Sequence, residues 1–182
     1  MEHIYRFASI EGSGLEHLSL QRRDDLIVAQ AVVVGDRGGH YGCSYRICCD
    51  SDWQVRSVEV AVAGGGSCVL TSNGQGEWRD GDGAALPGLQ GCIDVDISAT
   101  PFTNTLPIRR LGARLAERSV ITVAYIKIPE LGPRPTAQAY TRLADGRYLY
   151  ESVDGGFQAA LSVDADGVVL DYPGLFRRIQ PS

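Results

Sequence analysis

The 182-residue chain reads as an all-β domain, one many-stranded antiparallel sheet with a single short helix. Three observations predict it. Turn signals recur at short intervals: Gly12-Ser13-Gly14, Asp36-Arg37-Gly38-Gly39, Gly64-Gly65-Gly66, Asn73-Gly74, Asp80-Gly81-Asp82-Gly83, Asp145-Gly146, Asp154-Gly155 and Asp166-Gly167. Asp-Gly and Asn-Gly supply the positive φ angles that tight hairpin turns require. Between them lie short runs rich in Val, Ile and Tyr that alternate with polar residues. Only one stretch, Thr103 to Leu111, has a helical pattern. No linker or low-complexity tract divides the sequence, so one domain over 1–182 is expected.

The elements follow in order. Leu26 to Val34 and Val120 to Ile128 are apolar at successive positions, as in strands covered on both faces. A sheet that rolls over itself or encloses a helix would need such strands. Val58, Val60 and Val62 oppose Ser57, Glu59 and Ala61. Ile93, Val95 and Ile97 oppose Asp94, Asp96 and Ser98, which puts both aspartates on a solvated face. A helix capped by Thr103 would hold Pro107 at its fourth position, where no internal hydrogen bond is lost. Gly112 supplies a left-handed exit, and Ala113 to Arg118 could extend the helix.

In the C-terminal third, two-residue loops at Asp145-Gly146, Asp154-Gly155 and Asp166-Gly167 fix three registers. They pair Leu143 with Tyr148, Thr141 with Tyr150, Tyr148 with Leu161, Tyr150 with Ala159, Val163 with Leu170 and Leu161 with Tyr172. One face then collects Leu143, Tyr148, Tyr150, Phe157, Ala159, Leu161, Val163, Val168, Leu170 and Tyr172. Tyr140, Arg142, Glu151, Gln158, Ser162, Asp164 and Asp171 fall on the other, with Leu149 and Val169 as apolar exceptions.

Composition narrows the function classes. A net charge of -5 with no basic run argues against nucleic acid and anionic membrane surfaces. The charged N-terminus, Met1-Glu2-His3-Ile4-Tyr5-Arg6-Phe7, is no signal peptide, and no apolar run is long enough to span a bilayer. Five cysteines, Cys43, Cys48, Cys49, Cys68 and Cys92, with no C-x-x-C, suggest free thiols in a cytoplasmic protein. His3, His17 and His40 lack metal-site spacing. No G-x-S-x-G elbow is present, and Gly64-Gly65-Gly66-Ser67 lacks the lysine of a phosphate loop. Asp80-Gly81-Asp82-Gly83 hints at calcium, but the EF-hand pattern fails at Ala84, which leaves turn chemistry. Asp94-Val95-Asp96 spells a D-x-D pair. The sequence therefore points to no catalytic residue, metal or cofactor.

The remaining segment, GCIDVDISATPFTNTLPIRRL from Gly91 to Leu111, packs Thr, Asn and two Arg around a strand-to-helix transition. It resembles the signature of the putative glycolipid-binding family, bacterial proteins once catalogued as having unknown function. The resemblance continues in Trp53 with Arg56 to Val60, in Gly76 to Gly81, in Val123-Ala124-Tyr125, in Gln138-Ala139-Tyr140-Thr141 and in Asp171 to Arg178. It implies a spiral β-roll, a long antiparallel sheet wound around one α-helix, and a distant likeness to periplasmic lipoprotein carriers.

The leading reading is a non-enzymatic binder of a glycolipid or other amphipathic small molecule, held between rolled sheet and helix. One alternative is an enzyme on a sugar or lipid head group, with Asp94, Asp96 or Arg109 in its site. Another is an interaction module pairing through strand edges, for which a homodimer is the expected partner. The candidate ligand-binding residues are Thr103, Asn104, Arg109 and Arg110 around the helix, with Tyr125 and Trp78 as aromatic surfaces from the family-like segments. At least one of Arg109 and Arg110 should reach the roll's mouth. The rival reading ties them to Asp94 or Asp96.

Overall fold

The computed structural model describes residues 2–179. Met1 and residues 180–182, the ends of the expected domain, lie outside the described residues. The first half is a meander: β1 (Glu2–Ser9), β2 (Leu15–Arg23), β3 (Leu26–Gly35), β4 (Tyr41–Asp50), β5 (Val55–Val62), β6 (Ser67–Ser72) and β7 (Trp78–Asp80). Then come β8 (Asp94–Ile97), α1 (Thr105–Leu111) and β9 (Ser119–Ile126). The chain closes with β10 (Pro133–Arg142), β11 (Tyr148–Ser152), β12 (Gln158–Val163), β13 (Val169–Tyr172) and β14 (Phe176–Arg178).

All strands join one fourteen-stranded sheet, ordered β7-β6-β5-β4-β3-β2-β1-β14-β13-β12-β11-β10-β9-β8. Neighbours are antiparallel except β8 and β9, which run parallel with Asp94 opposite Val123. This corrects the all-antiparallel expectation, and the helix is the reason. Parallel neighbours need a crossover, and the helical segment between β8 and β9 supplies it. The sheet curls so that β8, at one edge, packs against β5 from the other half. The helix is enclosed, with Leu106, Ile108, Leu111 and Leu115 all in the core.

The helical segment covers the expected Thr103 to Leu111 and most of the extension foreseen toward Arg118. A 3-10 turn over Phe102–Asn104 leads into α1, and another over Gly112–Ala116 follows it. Thr103 therefore caps nothing; it lies within the first 3-10 turn, and its hydroxyl is committed to Asp96. Pro107 is the third residue of α1, where its missing N–H had no internal partner to lose. Gly112 has φ +51, but the chain continues helically instead of leaving.

In β5 the faces were read correctly. Val58 and Val60 are buried while Glu59 and Ala61 face out. The run Leu26 to Val34 is covered on one face only: Ile27, Ala29, Ala31 and Val33 are buried, and Leu26, Val32 and Val34 are exposed. In β9 the second half is covered on both faces, with Val123, Ala124 and Ile126 buried, whereas Val120 is exposed.

The hairpin registers divide in the same way. Tyr148 pairs with Leu161 and Tyr150 with Ala159, as expected. The first hairpin is one residue out: Arg142 pairs with Tyr148 and Tyr140 with Tyr150. Its loop has three residues, Ala144 to Gly146, closed by the Leu143 and Arg147 backbone groups. A one-residue shift turns every side chain of β10 over, so Tyr140 joins the buried face and Leu143 leaves it. In the third hairpin Val163 pairs with Val169, not Leu170. Leu170 is the extra residue of a bulge, beyond which Ser162 pairs with Asp171. Val169 is accordingly buried, while Phe157, expected inside, is 41% exposed.

Candidate functional site

An aromatic-lined cleft of about 490 Å³ lies between the concave sheet and the start of the helical segment. Its floor comes from the strand-to-helix transition. Asp96 is directed there by β8; its Oδ1 accepts from Thr103 Oγ1 at 2.9 Å and its Oδ2 from Gln138 Nε2 at 2.7 Å. Tyr140 donates its hydroxyl to Asn104 Oδ1 at 2.9 Å, and Asn104 Nδ2 donates to the Pro101 carbonyl at 3.0 Å. These residues sit on three separate elements, so the network ties β8, the helical segment and β10 into one polar floor.

The wall is aromatic. Tyr140 and Tyr150 meet edge-on at 5.4 Å, and Tyr150 meets Tyr172 at 5.9 Å. Tyr172 in turn contacts Phe157 at 6.2 Å and Phe176 at 6.4 Å. Alternation along β11 and β13 delivers these rings to the concave face, and pairs of this geometry stabilise each other beyond simple burial. The rim is cationic. Arg134 lies over Tyr125 at 5.3 Å and Arg37 over Phe176 at 5.9 Å, while Lys127 pairs with Glu130 at 2.6 Å.

Burial raises the Asp96 carboxyl above the usual carboxylate range, although the hydrogen bonds from Thr103 and Gln138 pull it back. Burial likewise raises the Tyr140, Tyr150 and Tyr172 phenols, keeping them neutral donors. Behind the cleft, β2 buries a second carboxylate. Glu16 Oε1 accepts from Tyr45 at 2.5 Å and from Thr100 at 2.9 Å, while its Oε2 has no partner. Desolvation pushes Glu16 up to about 7.

Of the six residues singled out in the sequence, Asn104 and Tyr125 line this cleft. Thr103 stands behind it, positioning Asp96. Arg110 points elsewhere: its guanidinium grips Asp94 with two bonds, at 3.0 and 2.5 Å. Asp94 is fully buried, so the D-x-D pair is not solvated; the enclosed helix covers the face that open alternation would have exposed. Arg109 packs on the Trp53 ring, and Trp78 is buried with its indole N–H on the Cys92 carbonyl at 2.6 Å. In the Asp80 loop, Asp80 Oδ1 accepts from the Asp82 and Ala84 amides, which is turn chemistry.

Gln138 and Glu16 were not chosen as site residues from the sequence, and Asp96 entered only under the enzymatic alternative. Gln138 and Glu16 carried a signal: each is a polar residue in phase with buried apolar ones, Gln138 with Tyr140 and Glu16 with Leu18. A polar side chain on a core face needs a partner, and that makes it worth notice.

Taken together, the fold is an all-β roll with one enclosed helix and an aromatic cleft at the helix entrance. The chain belongs to the family described as "Putative glycolipid-binding", whose pattern matches residues 5–178. It is similar to a DUF1089 family protein from Pseudomonas aeruginosa, known from a crystal structure. The two are 44% identical, with 92% of this chain and 93% of that chain covered and a TM-score of 0.79. No curated protein matches. Among the described residues no helix is long and apolar enough to cross a membrane.

Proposed function

We propose that the cleft holds the sugar head of a glycolipid or of another amphipathic glycoside, by binding and not by turnover. The observation that carries this reading is the pairing of an aromatic wall with a floor of Asp96, Gln138 and Asn104. Sugars offer exactly two chemistries to a protein: ring faces that stack on aromatics, and hydroxyls that need both donors and acceptors. A cleft of about 490 Å³ suits one or two sugar rings, and drug-sized ligands occupy pockets of this order. The family's description agrees with this assignment.

Hydrolysis is less well supported. Glycosidases of the common kind work with two facing carboxyl groups. Asp96 is the one carboxylate lining the cleft among the described residues, and both its oxygens are already engaged.

Isothermal titration with octyl glucoside, kept below its micelle concentration, tests the reading. Saturable binding is expected, weakened about tenfold by Asp96→Asn and by Tyr150→Leu, since each removes a contact on the order of 1.4 kcal/mol. Absence of binding, or affinity unchanged in both variants, removes this function from the cleft. Release of glucose over time would convert the reading to an enzymatic one.

A further inference from the structure

The aromatic cleft adjoins a small chamber of about 10 Å³, near the volume of about 10–15 Å³ that one water-sized group needs. Arg37, Tyr41 and Phe176 line both spaces. Strand register builds the chamber. Glu16 on β2 stands between Phe7 on β1 and Val33 on β3, its cross-strand partners. Such partners share a face, so a carboxyl is set in a row of apolar side chains. Ala99, from the turn after β8, adds to the apolar lining. Tyr41 is seated on its own cross-strand partner, Gly35, where a Cβ would overlap the phenol ring.

Glu16 has bonding capacity to spare. Its Oε1 accepts from Tyr45 on β4 and from Thr100, a residue that itself lines the cleft, while Oε2 has no partner. Among the described residues one other buried side-chain oxygen is left so, the Thr105 hydroxyl. Tying β2 to β4 and to the turn after β8 takes only one oxygen. A second, unanswered one is costly to bury, and a ligand group that meets it recovers the loss. Around it, Asp36 accepts from the Ser13 amide at 2.6 Å and Arg37 lies over the Phe176 ring. Desolvation pushes the Glu16 carboxyl up to about 7, so both of its forms are present at neutral pH. Ionised, Oε2 accepts a hydrogen bond; protonated, it donates one. A hydroxyl answers both forms, whereas an ammonium answers only the first.

We propose that this chamber is a subsite of the cleft for the exocyclic hydroxymethyl group of a hexose, its methylene against Phe7, Val33 and Ala99 and its hydroxyl on Glu16 Oε2. The inference rests on the cleft's holding a sugar head. A sugar ring is too large for the chamber, and the hydroxymethyl is the hexose substituent that projects furthest beyond the ring. The subsite therefore separates hexosides from pentosides.

Isothermal titration of the full chain with octyl glucoside and with octyl xyloside, each below its micelle concentration, isolates the subsite, because the two differ only in the hydroxymethyl group. The glucoside should bind about tenfold more tightly. Glu16→Met keeps the length of the side chain without its carboxyl, and Ala99→Val fills the chamber with the carboxyl in place. Each should bring the two affinities together. The readout is their ratio within one protein, so a general weakening of the cleft does not imitate the effect. Should Glu16→Met fail to fold, Ala99→Val decides. Equal affinities in the parent, or the parent's ratio kept in either folded variant, overturn the subsite and leave the cleft reading standing. Absence of binding by both glycosides in the parent removes the cleft reading and the subsite together.

Discussion

Glu16 is the residue whose environment contradicts its chemistry most strongly. It is fully buried with one oxygen unpartnered, and Tyr45, Tyr41 and Cys43 around it bring no positive charge. Desolvation moves its carboxyl from the ordinary 4.5 to about 7. The direction of the linkage follows. Between these values the folded state keeps a proton that the unfolded chain has lost, so stability is fully present below about pH 4.5 and falls as pH rises through 7. The loss is on the order of 3 kcal/mol. Glu16→Gln keeps an acceptor for Tyr45 and Thr100 but cannot ionise. Urea denaturation of the two proteins should diverge above pH 5, with the variant more stable by pH 8, and the difference should be flat below pH 4.5. A parallel pair of pH profiles would place the Glu16 carboxyl at an ordinary value.

At the scale of elements, the helical segment and the hairpins show what could and could not be read in advance. The site of the helix was legible because Thr103 to Leu111 alone breaks the strand pattern. Its covering role was not, since burial of Asp94 depends on which sheet edge arrives on that side. Asp-Gly turns were legible as turns, but the dipeptide serves both two-residue and three-residue loops. An even loop preserves the faces of the following strand, as at Asp154, where four residues close the hairpin and Tyr150 still meets Ala159. An odd loop reverses them, as at Asp145, where Tyr140 came inside. Tyr140 then delivered the hydroxyl that holds Asn104, so the same ambiguity hid part of the site floor. The helix itself is tied to β8 by the Asp94–Arg110 pair, whose side chains are 0% and 12% exposed. Asp94→Ala leaves a largely buried cation without its partner and should cost about 3–5 kcal/mol by chemical denaturation. The double replacement Asp94→Leu with Arg110→Met should recover most of that loss, because the pair's attraction is largely offset by its desolvation. If the double variant were as unstable as the single one, the pair would be contributing far more than its charges cost.

The whole molecule is a long sheet with two free ends, β7 and β8, brought together over the helix. No ladder joins them. What joins them is the Trp78 indole bond to the Cys92 carbonyl and the approach of two glycines, where the Gly91 amide donates to the Gly76 carbonyl at 2.9 Å. A Cβ on Gly76 would sit 2.7 Å from the Gly91 Cα, so this crossing admits no side chain. The cysteines report on the seam. Cys92 is beside it, Cys68 lies on β6, and Cys43 and Cys49 lie deeper, on β4. All four are buried, and burial raises every one of their thiols, those of Cys43 and Cys92 to about 11, which makes them poor nucleophiles at neutral pH. Cys48, on the outer face of β4, is only partly covered. Labelling of the native protein with a maleimide, read by mass spectrometry, should therefore modify Cys48 first, and unfolding without reductant should expose five thiols. Trp78→Phe removes one hydrogen bond, worth about 1 kcal/mol, and leaves the Cys92 carbonyl without its partner. If the seam is the weak line of the roll, that variant should label faster at Cys92 than at Cys43 or Cys49. Equal acceleration at all four buried thiols would mean that the sheet opens as one cooperative unit, with the helix holding its two ends as firmly as a ladder would.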